Sequence, residues 1–277
     1  MTENAKKVFF IEVFMIKKEE EKFVCSEILE GMSSISALIR AMEAPERYND
    51  RRILEVLIDQ SKKKSKMKEI GFLSAKSHTL GFSIRFVETD EIDAMTLGTS
   101  HGGIVARCTS RTLPTLCSDV IKDHGVYYYL EGVEDPYNFG YAVRSLYASG
   151  ADGLILPPRN WMGAAGVVAR SSAGTSELSS IFVAEVTDAI ALFRERGYRI
   201  ACAGIRDSVS IFEADLQKPL LVILGGEKRG ISSAALALSD LTVRIDYGTE
   251  FRGSLSTSAA AAVFGFEILR QNQKDKI

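Results

Sequence analysis

The fold of this chain is decided by a short apolar run and the glycine-rich loop after it, Leu221-Val222-Ile223-Leu224 followed by Gly225-Gly226-Glu227-Lys228-Arg229-Gly230. Four consecutive apolar residues that end at glycine are typical of a strand buried on both faces. A helical stretch follows from Ser232 to Leu238, and a second strand from Leu241 to Ile245. Open α/β sheets bind ligands at the carboxyl ends of their strands, so we expect a ligand site where the glycine loop leaves the sheet.

The second strand leads into another loop, which runs from Asp246 to Gly253 and continues as Ser254-Leu255-Ser256-Thr257-Ser258. An alanine-rich helix from Ala259 to Arg270 comes next. Hydroxyl side chains just before a helix are commonly N-caps, which explains at least one of these serines and threonines. Two strands therefore each deliver a Gly- or Ser-rich loop to the same edge of the sheet.

The glycine loop fits neither of the common phosphate-binding patterns. Gly225 and Gly230 have the spacing of a nucleotide P-loop, but Ile231 occupies the position of the lysine that contacts the phosphates. The dinucleotide pattern GxGxxG requires two glycines separated by one residue, and the chain contains no such pair. The loop is therefore expected to approach a ligand closely with its backbone without gripping a phosphate.

Serine hydrolase chemistry is also disfavoured. The chain has no GxSxG nucleophile motif. His78 and His101 lie in the N-terminal part and His124 follows the linker region, so none is an obvious triad base.

Composition bounds the class of protein. The net charge of −2 gives no global electrostatic argument for nucleic acid, so local basic stretches must supply one. The cysteines (Cys25, Cys108, Cys117 and Cys202) are scattered without a CxxC pair, so we expect no metal site and a reducing, cytoplasmic location. The longest apolar runs fall well short of the roughly 20 residues that a membrane-spanning helix needs, so no membrane partner is expected.

The chain divides into two predicted domains. From Val126 onward, strands alternate with helices, which favours a parallel sheet covered on both faces. We expect an N-terminal α/β domain at 1–112, a linker at 113–123 and a C-terminal domain at 124–277. The N-terminal elements are predicted as strands at Val8 to Ile16, Ile53 to Ile58, Ser83 to Val87 and Ile104 to Cys108, and helices at Ser33 to Met42 and Lys62 to Leu73.

The first candidate motif in chain order is Asp135-Pro136-Tyr137-Asn138-Phe139-Gly140, with Arg144 on the helix predicted from Ala142 to Ser149. One interpretation is turn chemistry between a strand and a helix, since Asp-Pro, Asn and Gly favour turns. The other is a functional pair, in which Asn138 in the loop and Arg144 on the helix project together.

Taken together, these stretches resemble the three motifs of the SpoU-type RNA 2′-O-methyltransferases of the SPOUT superfamily. The resemblance covers residues 24 to 271 and is closest to enzymes that methylate guanosine ribose in large-subunit (23S) ribosomal RNA. The N-terminal part resembles the family's substrate-binding domain, an L30e-like RNA-binding fold. The motifs that carry the resemblance are Asp135-Pro136-x-Asn138-x-Gly140-x-x-x-Arg144, Leu224-Gly225-Gly226-Glu227-x-x-Gly230-Ile231 and Ser254-Leu255-Ser256.

The resemblance implies a Rossmann-like C-terminal sheet with a deep trefoil knot, S-adenosylmethionine as the methyl donor and a ribose 2′-hydroxyl of RNA as the acceptor. It places cofactor contacts at Ala203, Gly204, Gly225, Gly226, Ile245 and Leu255. It places the polar active-site groups at Asn138, Arg144, Glu227 and Ser254, with Arg144 as the catalytic residue. Arginine is not readily deprotonated in proteins, so a fixed cation that stabilises an alkoxide is as reasonable a role as a base. The alternatives that remain are a tRNA ribose methyltransferase and an inactive RNA-binding paralogue.

Two positions depart from the family pattern. Ser256 replaces the asparagine that usually ends the third motif, and the preceding strand ends Ile245-Asp246-Tyr247 rather than Ile-Pro-Met. The loop up to Ser254 is also one residue longer than is usual.

The expected partners are RNA and a second copy of the chain. The resemblance implies a homodimer that buries the knot and the C-terminal helix. A local basic patch, which we term the lysine patch, is the expected RNA contact in the N-terminal domain, although a solvated helix face would look the same. It comprises Lys62, Lys63, Lys64, Lys66 and Lys68.

Overall fold

The computed structural model of the chain describes residues 27–44, 48–96, 101–158, 164–251 and 253–273. These residues form two β-sheets, one in each half of the chain, together with the helices that cover them. The predicted α/β class is confirmed, as is the parallel sheet predicted for the C-terminal half. The strand predicted from Val8 to Ile16 lies outside the described residues.

The N-terminal half contains a four-stranded mixed sheet. Its elements are β1 Ile28–Glu30, α1 Gly31–Met42, β2 Ile53–Asp59, α2 Met67–Leu80, β3 Ser83–Val87, α3 Thr89–Asp93 and β4 Ile104–Cys108. The strand order is β1-β4-β2-β3, in which β4 is antiparallel to β1 and β2, and β2 is parallel to β3. Successive side chains of a strand point to opposite faces. Val56 and Ile58 accordingly pack with the core under α1 and α2, and Leu57 packs with Ile92 of α3.

The C-terminal half contains a seven-stranded sheet in which every pairing is parallel. Its elements are β5 Val126–Glu131, α4 Pro136–Ala148, β6 Gly153–Leu156, α5 Ala165–Ser171, α6 Thr175–Leu178, β7 Ile181–Val183, α7 Val186–Glu195, β8 Arg199–Ala203, β9 Val209–Ser210, β10 Leu220–Gly225, α8 Ser233–Ala237, β11 Leu241–Arg244 and α9 Thr257–Asn272. The strand order is β7-β6-β5-β10-β8-β11-β9, so β10, which precedes the glycine loop, is central.

Strand β10 has an apolar core on each of its faces. Val222 and Leu224 belong to the core that α4 and α9 cover, together with Phe264 of α9. Leu221 and Ile223 belong to the core on the other face, beneath α7. A continuous apolar run is required here because both faces of a parallel sheet are covered by helices.

A buried polar cluster joins the two halves of the chain. The Glu177 carboxylate of α6 accepts a hydrogen bond from Nδ2 of Asn49 (3.0 Å) and lies 3.4 Å from Nη1 of Arg51. Arg111 donates to the carbonyls of Ser176 (2.7 Å) and Ser179 (3.0 Å). Burial lowers the pKa of the Arg111 guanidinium, and the nearby Glu177 charge opposes that shift. Helix α6 also packs on α1. Segment 171–178 therefore lies in the C-terminal half of the sequence, but its Leu178 packs in the core of the N-terminal half.

The segment predicted as a linker is held against the edge of the C-terminal sheet. Leu116 N–H donates to the Val183 carbonyl and Val183 N–H donates to the Pro114 carbonyl, each over 2.9 Å. Thr115 forms a parallel bridge to the same valine of β7. Residues 113–123 therefore include a short extension of the sheet.

Two predicted helices begin at the wrong residue. Helix α4 begins at Pro136 and not at Ala142, because Asp135 caps it by accepting from Asn138 N–H (2.7 Å) and proline suits the first helical turn. Helix α2 begins at Met67 and extends to Leu80, and a single 3₁₀ turn precedes it.

Candidate active and cofactor site

A cavity of about 1020 Å³ opens at the carboxyl ends of β8, β10 and β11. All the residues predicted to contact the cofactor line it, as do Glu227 and Ser254 of the predicted active site. The cofactor positions on its wall are Ala203, Gly204, Gly225, Gly226, Ile245 and Leu255.

The glycines of this edge are required by close backbone contacts. A Cβ at Gly225 would lie 2.4 Å from the carbonyl carbon of Gly230, and one at Gly226 would lie 2.1 Å from the carbonyl oxygen of Gly132. The loop is folded on itself, with Gly230 N–H donating to the Gly226 carbonyl over 2.9 Å. The part of the wall at Gly225 and Gly226 is therefore bare backbone beside the apolar Leu224 and Ile231. This part suits the adenosyl group of S-adenosylmethionine, an uncharged ring system that needs apolar walls and a few backbone hydrogen bonds. Charged side chains line other parts of the cavity, namely Arg206, Asp207, Glu227, Arg244, Asp246 and Glu250.

Helix α9 is tied to the glycine loop at its first turn. The Thr257 hydroxyl donates to the Gly225 carbonyl over 3.1 Å. The Ser256 hydroxyl caps the helix by accepting from Ala259 N–H over 3.2 Å. Serine and asparagine are comparably good N-caps, so Ser256 is suited to cap the helix at the position where the family pattern has asparagine.

The departure at Asp246 creates an ion pair at the rim of the cavity. Oδ1 of Asp246 lies 2.7 Å from Nε of Arg244, whose Nη1 donates to the Ser208 carbonyl over 2.5 Å. Hydrogen bonds from Ser210 and from Arg244 hold the pKa of the Asp246 carboxyl below its ordinary value. The pair links the end of β11 to the β8–β9 segment, and both segments contribute to the cavity wall.

Asn138 lies beside the cavity. Its Nδ2 donates to Oε1 of Glu227 over 3.0 Å, and the two residues share a smaller adjoining pocket with Lys228 and Thr257. Glu227 and Thr257 line both spaces, so the pocket and the cavity meet there. Lys228 pairs with Glu134 across the pocket, with Nζ to Oε2 at 2.9 Å.

Arg144 does not lie with these groups. It is exposed on α4 at the spacing of Tyr137 and Tyr141, which are exposed as well, and it does not line the cavity. The expectation that Asn138 and Arg144 project together is wrong because both lie on the helix. At about 100° per residue, six positions place two side chains on different faces.

The lysine patch lies in another part of the molecule, between β2 and α2. Lys66 pairs with Glu69 (3.0 Å), and Lys62 lies 3.9 Å from Asp59, whereas the Lys63 ammonium lies 4.7 Å from the centre of the Phe86 ring. Most of its lysines precede α2 and do not form one helical stripe.

Sequence reasoning missed several residues at this edge. Gly132 contacts the glycine loop, Lys228 pairs with Glu134, and an aromatic pair of Tyr247 and Phe251 lines the cavity. One of these residues could have been noticed in the sequence: Tyr247 lies in the segment Ile245-Asp246-Tyr247, which departs from the family pattern.

A parallel sheet with a glycine-walled cavity at its carboxyl edge belongs to the class of open α/β proteins that bind a ligand at this edge. A family model described as the SpoU rRNA methylase family matches residues 125–266, and one described as RNA 2′-O ribose methyltransferase substrate binding matches residues 28–114. The chain belongs to the SpoU rRNA methylase family.

Relatives and solved structures agree with this assignment. The chain is 28% identical over 240 residues to the 23S rRNA (guanosine-2′-O-)-methyltransferase RlmB of Shewanella oneidensis, covering 85% of this chain and 96% of the relative. An RlmB of a Burkholderia species is 27% identical over 255 residues, with 90% and 98% coverage. The S-adenosylmethionine-bound rRNA methyltransferase of Sinorhizobium meliloti shares the fold, with a TM-score of 0.72, 20% identity, and coverage of 91% of this chain and 94% of that one.

The predicted family, the class of enzyme and its cofactor are thereby confirmed: the chain is an S-adenosylmethionine-dependent RNA 2′-O-ribose methyltransferase. No helix within the described residues is long and apolar enough to cross a membrane.

Proposed function

We propose that this enzyme methylates the ribose 2′-hydroxyl of a guanosine in 23S ribosomal RNA. The observation that carries the proposal is that the second motif meets Ser254 and Leu255 of the third motif at one cavity, beside the Thr257–Gly225 hydrogen bond. The names of the relatives support the RNA and the nucleotide. We further propose a cytoplasmic location, which the scattered cysteines without a CxxC pair support.

The cofactor, when bound, supplies an electrophilic methyl group on a sulfonium. The chain's own residues must then hold the ribose and manage the proton of its 2′-hydroxyl. Glu227, which holds the Asn138 amide, and Ser254 position the ribose from the cavity wall. Arg144 supplies a fixed positive charge for the developing alkoxide, because a guanidinium stays protonated in proteins.

We propose further that the enzyme is a homodimer in which Arg144 completes the site of the partner. Within one chain, Arg144 is exposed and outside the cavity. It shares its stripe of α4 with Tyr137 and Tyr141, and the neighbouring α9 carries Phe266, which is 50% exposed. A second copy that covers this stripe would bury these rings and bring the guanidinium to an RNA ribose in the other cavity.

The N-terminal domain, 1–112, is proposed to hold the RNA through an L30e-like fold and the lysine patch. The local positive charge of Lys63, Lys64 and Lys68 supports this, as does the substrate-binding family model over residues 28–114. The linker at 113–123 and the catalytic domain at 124–277 complete the proposed division.

The C-terminal domain is proposed to contain the family's deep trefoil knot, which would make it an exception among folds. The chain leaves β11, passes the ends of β8 and β10 and returns to α9 beside α4. The Thr257–Gly225 contact lies on this path. If the chain is pulled from both termini, a tightened knot should leave its contour length shorter than the length expected from the number of residues. A full-length contour would refute the knot.

The central experiment incubates the protein with labelled S-adenosylmethionine and total RNA and maps the alkali-resistant positions. A single guanosine in 23S RNA is the expected product. Label in tRNA would support the tRNA alternative, and no label, with cofactor binding intact, would support an inactive RNA-binding paralogue.

A further inference from the structure

Two exposed aromatic rings line the cavity. Neither belongs to the predicted cofactor contacts or to the polar active-site groups. Tyr247 and Phe251, the aromatic pair, follow β11 in the loop that leads to Ser254. Their ring centres lie 5.2 Å apart at 71°, an edge-to-face contact. They are 37% and 51% exposed, which leaves much of their apolar surface without a partner.

The pair is held in place from both ends of the loop. The Tyr247 hydroxyl accepts a hydrogen bond from Leu255 N–H over 3.3 Å, which ties the first ring to the third motif. The Phe251 ring covers Gly253, where a Cβ would lie 2.6 Å from Cζ of that ring. Only glycine leaves room for the ring at this position, which immediately precedes Ser254.

The cavity has room for a group in addition to the cofactor. Its volume of about 1020 Å³ lies at the upper end of the range of roughly 300–1,000 Å³ for small-molecule sites. The predicted cofactor contacts at Ala203, Gly204, Gly225 and Gly226 lie at the carboxyl ends of β8 and β10, on the sheet side of the space. The aromatic pair occupies the loop side.

We propose that the aromatic pair stacks on the base of the nucleotide whose ribose is methylated. This inference rests on the proposed RNA ribose methylation. A ribose that reaches the cavity beside Ser254 brings its own base with it, and proteins commonly hold unstacked RNA bases on aromatic side chains. Stacking accepts any base, so the pair positions the target nucleotide and leaves the choice of base to other contacts.

The test compares Phe251→Leu and Tyr247→Leu with wild type. Each leucine keeps an apolar side chain and removes the aromatic face. Phe212→Leu is the matched control, since Phe212 is 66% exposed on the same domain but does not line the cavity. Tyr247→Phe keeps the ring and removes only the hydroxyl that meets Leu255. Circular dichroism verifies that every variant is folded.

The measurements are the affinity for a synthetic RNA hairpin that carries the mapped methylation site, and the affinity for S-adenosylmethionine by calorimetry. Loss of base stacking predicts an RNA dissociation constant raised about 10- to 100-fold in the leucine variants. Phe212→Leu should stay within about threefold of wild type in RNA affinity, and Phe251→Leu within about twofold in cofactor affinity. Tyr247→Phe, which keeps the ring, should lose less RNA affinity than Tyr247→Leu. Unchanged RNA affinity, or a larger loss for the cofactor than for RNA, would overturn the proposal.

A second RNA identifies which base the rings contact. In this second hairpin the target nucleotide lacks its base, so wild type should bind it more weakly than the intact hairpin. Phe251→Leu should bind the abasic hairpin as well as wild type does, because removing the base and removing the ring abolish the same interaction. If the variant's loss persists undiminished on the abasic RNA, the rings contact a neighbouring nucleotide and the assignment to the target base is wrong.

Failure of the stacking role can be distinguished from failure of the proposed function. If wild type transfers no label to any RNA, the proposed function fails. If wild type methylates the hairpin and the leucine variants match its RNA affinity, only the stacking role fails.

Discussion

The Nδ2 amide of Asn138 donates to Oε1 of Glu227 over 3.0 Å, a contact that joins segments 89 residues apart. It places the first sequence motif against the second at the margin of the cavity. The carboxylate engages the amide through Nδ2, and we expect the other polar atom of the amide, Oδ1, to accept a hydrogen bond from an RNA ribose. We therefore expect substitutions at Asn138 to affect methyl transfer.

Asn138→Asp should damage methyl transfer more than Asn138→Ala. The substitution sets two carboxylates about 3 Å apart, and like charges at that distance raise the pKa of one of them. The single-turnover rate should fall by roughly 10²- to 10³-fold at pH 8, and the loss should shrink as acidification lets the pair share a proton. Rates measured from pH 5.5 to 8.5 test this; a pH-independent loss would contradict a charge-repulsion mechanism.

Gly225→Ala should abolish cofactor binding in a folded protein. The added Cβ would lie 2.4 Å from the Gly230 carbonyl carbon, so the loop that walls the cavity must move. Gly248→Ala is the matched control, because a Cβ there meets no atom within 4 Å. We expect the cofactor dissociation constant to rise at least about tenfold in the first variant, or ~1.4 kcal/mol, and to stay constant in the second. Calorimetry distinguishes the two outcomes, and equal affinities would exclude the glycine loop as a cofactor wall.

The sequence predicted most of the strands because they depend on local signals, whereas the cofactor positions of the cavity followed from the resemblance to the SpoU motifs. Strands β7 and β9 were not predicted. A continuous apolar run identifies β10, and the glycines after it mark a close backbone approach. The placement of Arg144 depended on where α4 begins, and Asp135-Pro136 is compatible with a turn as well as with a capped first helical turn. The packing of α6 on the N-terminal half depends on Arg51, Arg111 and Glu177, whose sequence separation leaves no local pattern to detect.

Arg144→Ala should slow single-turnover methyl transfer by roughly 10²- to 10⁴-fold, the usual value of a positioned group that stabilises an oxyanion. Cofactor affinity should change less than about tenfold, because Arg144 lies outside the cavity. Arg144→Lys should restore little, because lysine lacks the planar fork of donors. An unaltered rate would remove Arg144 from catalysis.

Mixed dimers test whether Arg144 acts in the partner's site. Arg144→Ala and Gly225→Ala chains are each expected to be inactive. If the arginine acts across a two-fold dimer, their random mixture should recover about a quarter of the wild-type rate, since half of the dimers are mixed and each of these has one intact site. No recovery, with subunit exchange shown by light scattering of size-tagged chains, would place Arg144 in the site of its own chain.

Lys64→Glu should weaken RNA binding and reduce its salt dependence. Lys64 is exposed, and within the described residues it has no acidic partner in an ion pair. Losing one phosphate contact should lower the slope of log affinity against log salt by about one. Lys218→Glu, on the catalytic domain, makes the same change in net charge and should leave the slope unchanged. Equal effects of the two variants would show that the lysine patch is not the RNA contact.

Glu177→Gln should destabilise the packing of α6 on the N-terminal half. The side chains of Arg51 and Glu177 are 0% and 3% exposed, and Arg111 is buried beside them. Removing the carboxylate takes one counter-charge away from the buried guanidinium groups, and breaking a buried ion pair typically costs about 3–5 kcal/mol. Glu213→Gln, at an exposed position, is the control and should change the free energy of unfolding by less than about 0.5 kcal/mol. Urea unfolding followed by circular dichroism measures both, and hydrogen exchange of segment 171–178 reports whether the loss is local. A Glu177→Gln protein as stable as the control would mean that other groups compensate the buried guanidinium charges and that the ion pair does not stabilise this packing.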